Sequence, residues 1–279
     1  FLFKVYKSNI FISKYPYTSI GDSTFFYYQL GQFYRLQAVN PDCEIQINRP
    51  LAAQGIYCEQ NPDCLEFIVN KKIASGRALA ELQPGTNLAL MGPTGAKEKL
   101  PSKNVLVIGG AMAIIAMRAR FEAWLDAGIK VVFVCTASGD DLFELSRLQS
   151  IIKKIHQVDV SKKLENWFDF LQEWSKSGAQ WPFALEDVAA VYVWDSPAVS
   201  AQLNRVRDCF PQASQLSAAV YGDMQCMLKG VCAQCLQWQI DPQTGERTKA
   251  VYSCSWQQQP LEMVDWPHLH SRQTQNEVL

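Results

Sequence analysis

The chain has 279 residues, of which 48% are apolar, 11% aromatic and 19% charged, so it carries enough apolar mass for packed cores, and disorder and fibrous repeats are set aside. Such a length predicts two or three domains. A formal net charge of -1 gives no general attraction for phosphate backbones or anionic membranes, and no nucleic-acid partner is expected.

Residues 1–100 read as short strands: Phe1–Tyr6, Thr24–Tyr28, Gln32–Leu36, Leu65–Val69 and Asn87–Met91. Between them lie turn formers such as Tyr15-Pro16, Asn40-Pro41-Asp42, Pro84-Gly85 and Gly92-Pro93. This pattern predicts an antiparallel β-barrel or sandwich, interrupted by one short helix over Ser75–Leu82. Phe1 is not an initiator, and Phe1–Lys7 lacks the pattern of a signal peptide, so the chain reads as a fragment or a processed product.

The character changes at Pro101. Val105–Ile108 is a continuous apolar strand, followed by Gly109-Gly110, an apolar helical stretch to Trp124, then Gly128 and a second strand over Lys130–Val134. Strand, glycine turn, helix and strand predict a right-handed crossover in a parallel sheet, with Ala189–Trp194 as a later strand. The apolar run Asn104–Met117 holds two glycines and ends at Arg118, short of the roughly 20 residues a bilayer requires, so no membrane span is expected. Ile151–Gly178 is lysine-rich, with Trp167, Phe168, Phe170, Leu171 and Trp174 at helical intervals, which predicts an amphipathic helix packing its aromatics inward or against another domain. The resulting division is a β-rich domain over 1–100, an α/β domain over 101–213, a cysteine segment over 214–265 and a polar tail over 266–279.

Of nine cysteines, Cys43, Cys58, Cys64, Cys135 and Cys209 are scattered, whereas Cys226, Cys232, Cys235 and Cys254 are spaced C-x5-C-x2-C-x18-C. An odd total with one local cluster points to a reducing, cytoplasmic setting and a single thiolate site rather than a disulfide framework. Four thiolates suit a tetrahedral metal or a [2Fe-2S] cluster. Three of them share one loop, the fourth follows the turn-like Asp241–Gly245, and Gly230 would let backbone N–H groups approach inorganic sulfide. The spacing alone leaves zinc, iron and plain structural cysteines open. His268 and His270 read as solvated, Asp140, Asp141 and Glu144 as a helix start, and no Gly-x-Ser-x-Gly nucleophile elbow occurs.

In order along the chain stand Leu30-Gly31-Gln32-Phe33, Arg49-Pro50-Leu51-Ala52-Ala53, Leu82-Gln83-Pro84-Gly85, Gly92-Pro93-Thr94-Gly95, Val105–Gly110 and the four cysteines. This succession resembles the ferredoxin-NADP reductase superfamily, in particular the iron-sulfur electron-transfer subunit of class 1B dihydroorotate dehydrogenase. The resemblance implies a FAD-binding barrel, an α/β sheet for NAD(P)H and a terminal [2Fe-2S] cluster held by the four cysteines. Such a module passes electrons to a partner oxidoreductase, receiving them from reduced nicotinamide or from a flavoprotein partner, such as a domain fused upstream in the manner of glutamate synthase. No side chain is required as an acid or base.

Carried over to this chain, the resemblance sets Arg49 against the flavin diphosphate, which a guanidinium suits by charge and shape. It sets Pro50, Leu51, Ala52 and Ala53 along the isoalloxazine, without a hydroxyl to bond it. Gly76 and Arg77 would make a second phosphate contact at a helix start. Gly109 and Gly110 would approach the nicotinamide cofactor. Here the chain departs from the family: Gly109-Gly110-Ala111-Met112-Ala113 replaces a more glycine-rich turn, and Trp194-Asp195-Ser196-Pro197 stands where a Gly-Pro turn is expected. The C-x5-C spacing is also one residue longer than the family's. The competing readings are Arg49 as a surface strand-end residue, Ser75 as an ordinary helix cap, and Gly109 and Gly110 as packing glycines. For the whole chain, the competing reading is a non-catalytic interaction module with structural zinc.

Overall fold

The computed structural model describes residues 10–16, 33–38, 51–53, 55–57, 64–70, 88–136, 156–159, 167–177, 181–220, 235–253 and 255–276. The strands expected at Phe1–Tyr6 and Thr24–Tyr28, the helix at Ser75–Leu82, and Arg49, Pro50, Gly76, Arg77, Cys226, Cys232 and Cys254 lie outside them. The chain divides into two compact units, one of Phe1–Glu98, Tyr221–Cys235 and Tyr252–Trp256, the other of Lys99–Val220, Leu236–Val251 and Gln257–Leu279.

The first unit contains β1 (Ile10–Pro16), β2 (Phe33–Ala38), β3 (Leu51–Ala53), β4 (Gly55–Tyr57), β5 (Cys64–Asn70) and β6 (Leu88–Thr94). They form two three-stranded sheets, ordered β1-β5-β4 and β3-β2-β6, with antiparallel pairing throughout. Strands rich in Ile, Phe, Tyr and Val fit a pleated surface, and Pro16 is tolerated because it closes β1, where a missing N–H costs no interior ladder bond.

The second unit is built on a parallel sheet. Its elements are β7 (Val105–Gly109), α1 (Ala111–Asp126), β8 (Val131–Cys135), β9 (His156–Asp159), α2 (Trp167–Lys176), β10 (Ala190–Trp194), α3 (Pro197–Arg205) and β11 (Gln215–Ala219). They are followed by β12 (Leu236–Ile240), β13 (Arg247–Tyr252), β14 (Gln258–Pro260) and α4 (Trp266–Asn276). Strand order in the six-stranded sheet is β14-β11-β10-β7-β8-β9, with β14 alone antiparallel. Every residue of β7, β8 and β10 is buried, which is why these strands are apolar without alternation: both faces of the sheet are covered.

On the α1 face, Val105, Val107, Val131, Phe133 and Tyr192 pack with Phe121 and Trp124; on the other, Leu106, Ile108, Val132 and Val193 pack with Trp167, Leu171 and Trp174 of α2 and Leu203 of α3. Trp174 stacks on Trp181, ring centres 4.2 Å apart, and its Nε1 donates to the Phe183 carbonyl. The lysine-rich segment thus places Trp167, Leu171 and Trp174 in the core, while Phe168 stays exposed. Its i, i+4 and i+7 positions define one helical face, and Phe168 falls off it.

The segment expected as a polar tail is a helix. Asp265 Oδ1 accepts from the His268 N–H at 3.0 Å, satisfying a donor of the first turn, and Trp266 and Leu269, three residues apart, bury one face of α4 in the second core. Average polarity concealed two anchoring side chains. Among the described residues, no helix is long and apolar enough to cross a membrane.

Candidate functional site

Two places merit chemical scrutiny: the carboxyl edge of the parallel sheet and the cysteine segment. From β7 the chain moves through β8 to β9 on one side, then returns to β10 and β11 on the other, so its direction reverses between β7 and β10. Open α/β sheets place ligands outside the carboxyl ends of the strands at such a reversal. In register, Gly109 pairs with Cys135 on one side and Trp194 on the other, so Gly110, Thr136 and Asp195 are the next residues out along three adjacent strands.

The two glycines have different surroundings. A Cβ on Gly109 would stand 2.4 Å from the Trp194 carbonyl oxygen and 2.5 Å from Ala113 Cβ, so this glycine is what allows α1 to close against β10. Gly110, the residue capping α1, has an ordinary φ of -77° and no side-chain cap. A Cβ there would meet only Thr136 Oγ1, at 3.9 Å. Gly109 therefore sits in strand–helix packing and Gly110 at the mouth of the edge.

Across that mouth runs a hydrogen bond that local sequence reading does not reveal. Thr136 Oγ1 donates to Asp195 Oδ2, and the Ser196 N–H donates to Asp195 Oδ1 at 2.6 Å. Ser196 in turn caps α3, its Oγ accepting from the Val199 N–H at 3.3 Å, with Pro197 opening the helix. Both carboxylate oxygens are thus held. Beneath them, the buried Arg120 guanidinium of α1 lies 5.3 Å from the centre of the Trp194 ring, a cation–π arrangement that braces the residue preceding Asp195.

In the first unit, Leu51, Ala52 and Ala53 form β3 and pair with Leu36, Arg35 and Tyr34 of β2. Phe33 opens β2, so segments far apart in sequence meet on neighbouring strands of one sheet.

Cys235 is fully buried immediately before β12, and Ser253 immediately follows β13, its N–H donating to the Cys235 carbonyl at 3.0 Å. The β12–β13 hairpin therefore returns the chain to Cys235 one residue before Cys254. The turn is set by Asp241, whose Oδ1 accepts from the Gln243 and Thr244 N–H groups at 2.7 and 3.2 Å, and by Gly245 at φ 73°. Gly245→Val meets no steric obstacle but forces a β-branched residue into the left-handed region. It should cost about 1–2 kcal/mol, read as a lowered thermal midpoint of the full chain; an unchanged midpoint would show that the turn does not hold the hairpin.

Ser253 Oγ is buried and has no hydrogen-bond partner among the described residues. Among the described residues, no group of three or more metal-ligating side chains occurs. Of the scattered cysteines, Cys135 is buried at the end of β8, and burial, then Asp208, pushes the Cys209 thiol up, away from the ligating thiolate.

No protein-family model matches the chain. An uncharacterized protein of Rickettsia prowazekii (strain Madrid E) is 24% identical over 252 residues, 90% of this chain, and the chain spans only 28% of that relative's length. Among solved structures, an NADH-dependent reduced ferredoxin-NADP oxidoreductase, described for flavin-based electron bifurcation, superposes with a TM-score of 0.73 at 15% identity, covering 98% of this chain and 90% of the other. The cytochrome P450 reductase GcoB of Amycolatopsis superposes with a TM-score of 0.52 at 14% identity, covering 77% and 67%. The chain has the fold of the ferredoxin-NADP reductases, antiparallel sheets followed by a parallel-sheet unit, as the resemblance implied.

Proposed function

We propose that this chain is an electron-transfer module of an oxidoreductase, holding FAD in its β-rich unit and a [2Fe-2S] cluster on Cys226, Cys232, Cys235 and Cys254. The fold it shares with an NADH-dependent ferredoxin-NADP oxidoreductase supports the oxidoreductase class. The observation that carries the cluster is the hairpin that returns the chain to Cys235 at Ser253, the residue before Cys254 in the sequence. When bound, FAD supplies the conversion between two-electron and one-electron transfer, and the cluster supplies a one-electron relay.

The chain's own residues bind and orient. Arg49 would bind the flavin diphosphate, Gly76 and Arg77 would make the second phosphate contact, and Pro50, Leu51 and Ala52 would line the ring system. The four thiolates would hold the iron, and the Ser253 hydroxyl would be available to donate a hydrogen bond toward sulfur. Gly110 stands at the mouth of the nicotinamide edge and Gly109 supports it by packing α1 on β10, and the donor is reduced nicotinamide or a flavoprotein partner. The acceptor is a partner oxidoreductase.

Anaerobically purified chain should contain flavin together with iron and acid-labile sulfide in equal amounts, with charge-transfer absorption in the visible. Cys235→Ser should lose iron and sulfide while keeping flavin. A colourless protein carrying zinc would overturn the redox reading and leave the interaction module.

A further inference from the structure

We propose that Asp195 is a specificity-determining residue that competes with the diphosphate of a dinucleotide for the amino end of α1, holding this edge in a low-affinity form. It deepens the reading of the chain as a reductase module, resting on it for the class of ligand.

A helix start presents unpaired N–H groups and the positive end of the dipole, and a diphosphate is bound by approaching both. In this chain the strand registers place Gly110, Thr136 and Asp195 side by side at that start. Thr136 Oγ1 lies 3.9 Å from the position of a Cβ on Gly110, and that same hydroxyl donates to the Asp195 carboxylate. The Asp195 carboxylate is therefore hydrogen-bonded to the side chain that borders the cap residue of α1, on the edge where the ligand's own negative charge would come.

The carboxylate is not free to swing aside. Its second oxygen is held by the Ser196 N–H, and Ser196 is itself committed to capping α3, so displacement disturbs two elements. A diphosphate entering here meets like charge at short range and must displace the carboxylate or tolerate it, and like-charge juxtaposition is a strong means of rejecting a ligand. The neighbouring glycine cannot compensate by making room, because Gly109 is already consumed by the contact of α1 with β10.

The test is calorimetric titration of the full chain with ADP-ribose, which carries the diphosphate but cannot reduce a flavin, and with adenosine, which lacks it. Asp195→Asn removes the charge with little change in shape. Asp195→Ser, whose hydroxyl can still accept from the Ser196 N–H, is the second variant should the first misfold, folding being checked by thermal melting. The expected result is ADP-ribose affinity about ten-fold tighter in a folded variant than in the unmodified chain, with adenosine unchanged. Unchanged, weakened or undetectable ADP-ribose binding in a folded variant overturns the proposal, as does an equal gain for adenosine. Neither flavin nor iron enters the readout, so a chain devoid of both would defeat the redox reading while leaving this result to stand or fall alone.

Discussion

Gly109→Ala should destabilise the parallel-sheet unit by about 3 kcal/mol or more, at the upper end of what overpacking costs. The added carbon would stand 2.4 Å from a backbone oxygen of β10 and 2.5 Å from Ala113 Cβ, and Ala113 is itself fully buried. Neither neighbour is the far end of a flexible side chain. Relief requires α1 to lift from the sheet, which would open contacts between α1 and the buried residues Val107, Phe133 and Tyr192. Gly110→Ala is the internal control. Its φ is ordinary and its nearest obstacle is 3.9 Å away, so the change should stay within about 1 kcal/mol. Urea unfolding followed by circular dichroism reads both. Equal costs at the two positions would show that strand–helix packing does not distinguish these glycines.

That contrast bears on what a Gly-Gly pair can convey. From sequence, either glycine could serve a ligand or the packing, and the strand registers were needed to separate them. The strands that were legible, β7, β8 and β10, are the ones covered on both faces, where burial demands continuous apolar runs. The strands that were not legible lie toward the sheet edges. β9 and β14 are short and carry His156, Gln157, Asp159, Gln258 and Gln259, whose polarity gives no period to read. β1, β3 and β4 were likewise not expected, two of them being only three residues long.

The sites divide in the same way. The turn at Asp241–Gly245 is local chemistry and was visible, together with its consequence that a hairpin separates Cys235 from Cys254. The bond between Thr136 and Asp195 joins residues 59 apart, and no local pattern marks it. Only the parallel order of β8, β7 and β10 brings the two side chains to one edge. Asp195 drew attention in sequence as a missing glycine; its significance lies in the charge that stands there.

Trp124→Ala should cost about 3–5 kcal/mol, the range for emptying a buried indole site. Trp124 is fully buried between α1 and the sheet, its ring 5.0 Å from Tyr192 and 5.9 Å edge-on from Phe121. Strands covered on both faces have little freedom to collapse into the space, so most of the cavity should persist. Trp124→Phe should cost far less than the change in volume suggests. The Trp124 Nε1–H is buried without a partner among the described residues, and removing it relieves a desolvation penalty of about 1–3 kcal/mol that offsets part of the lost contact. The measurement is the urea midpoint of each variant at constant slope, so that stability rather than cooperativity is compared. If phenylalanine were as costly as alanine, the indole N–H would have to be satisfied in solution, and the offset would vanish. The position also couples to the edge above it: Trp124 supports Tyr192 of β10, and two residues on, Trp194 of the same strand precedes Asp195. Loosening at Trp124 should therefore weaken the hold on the carboxylate, whereas the phenylalanine variant should preserve it.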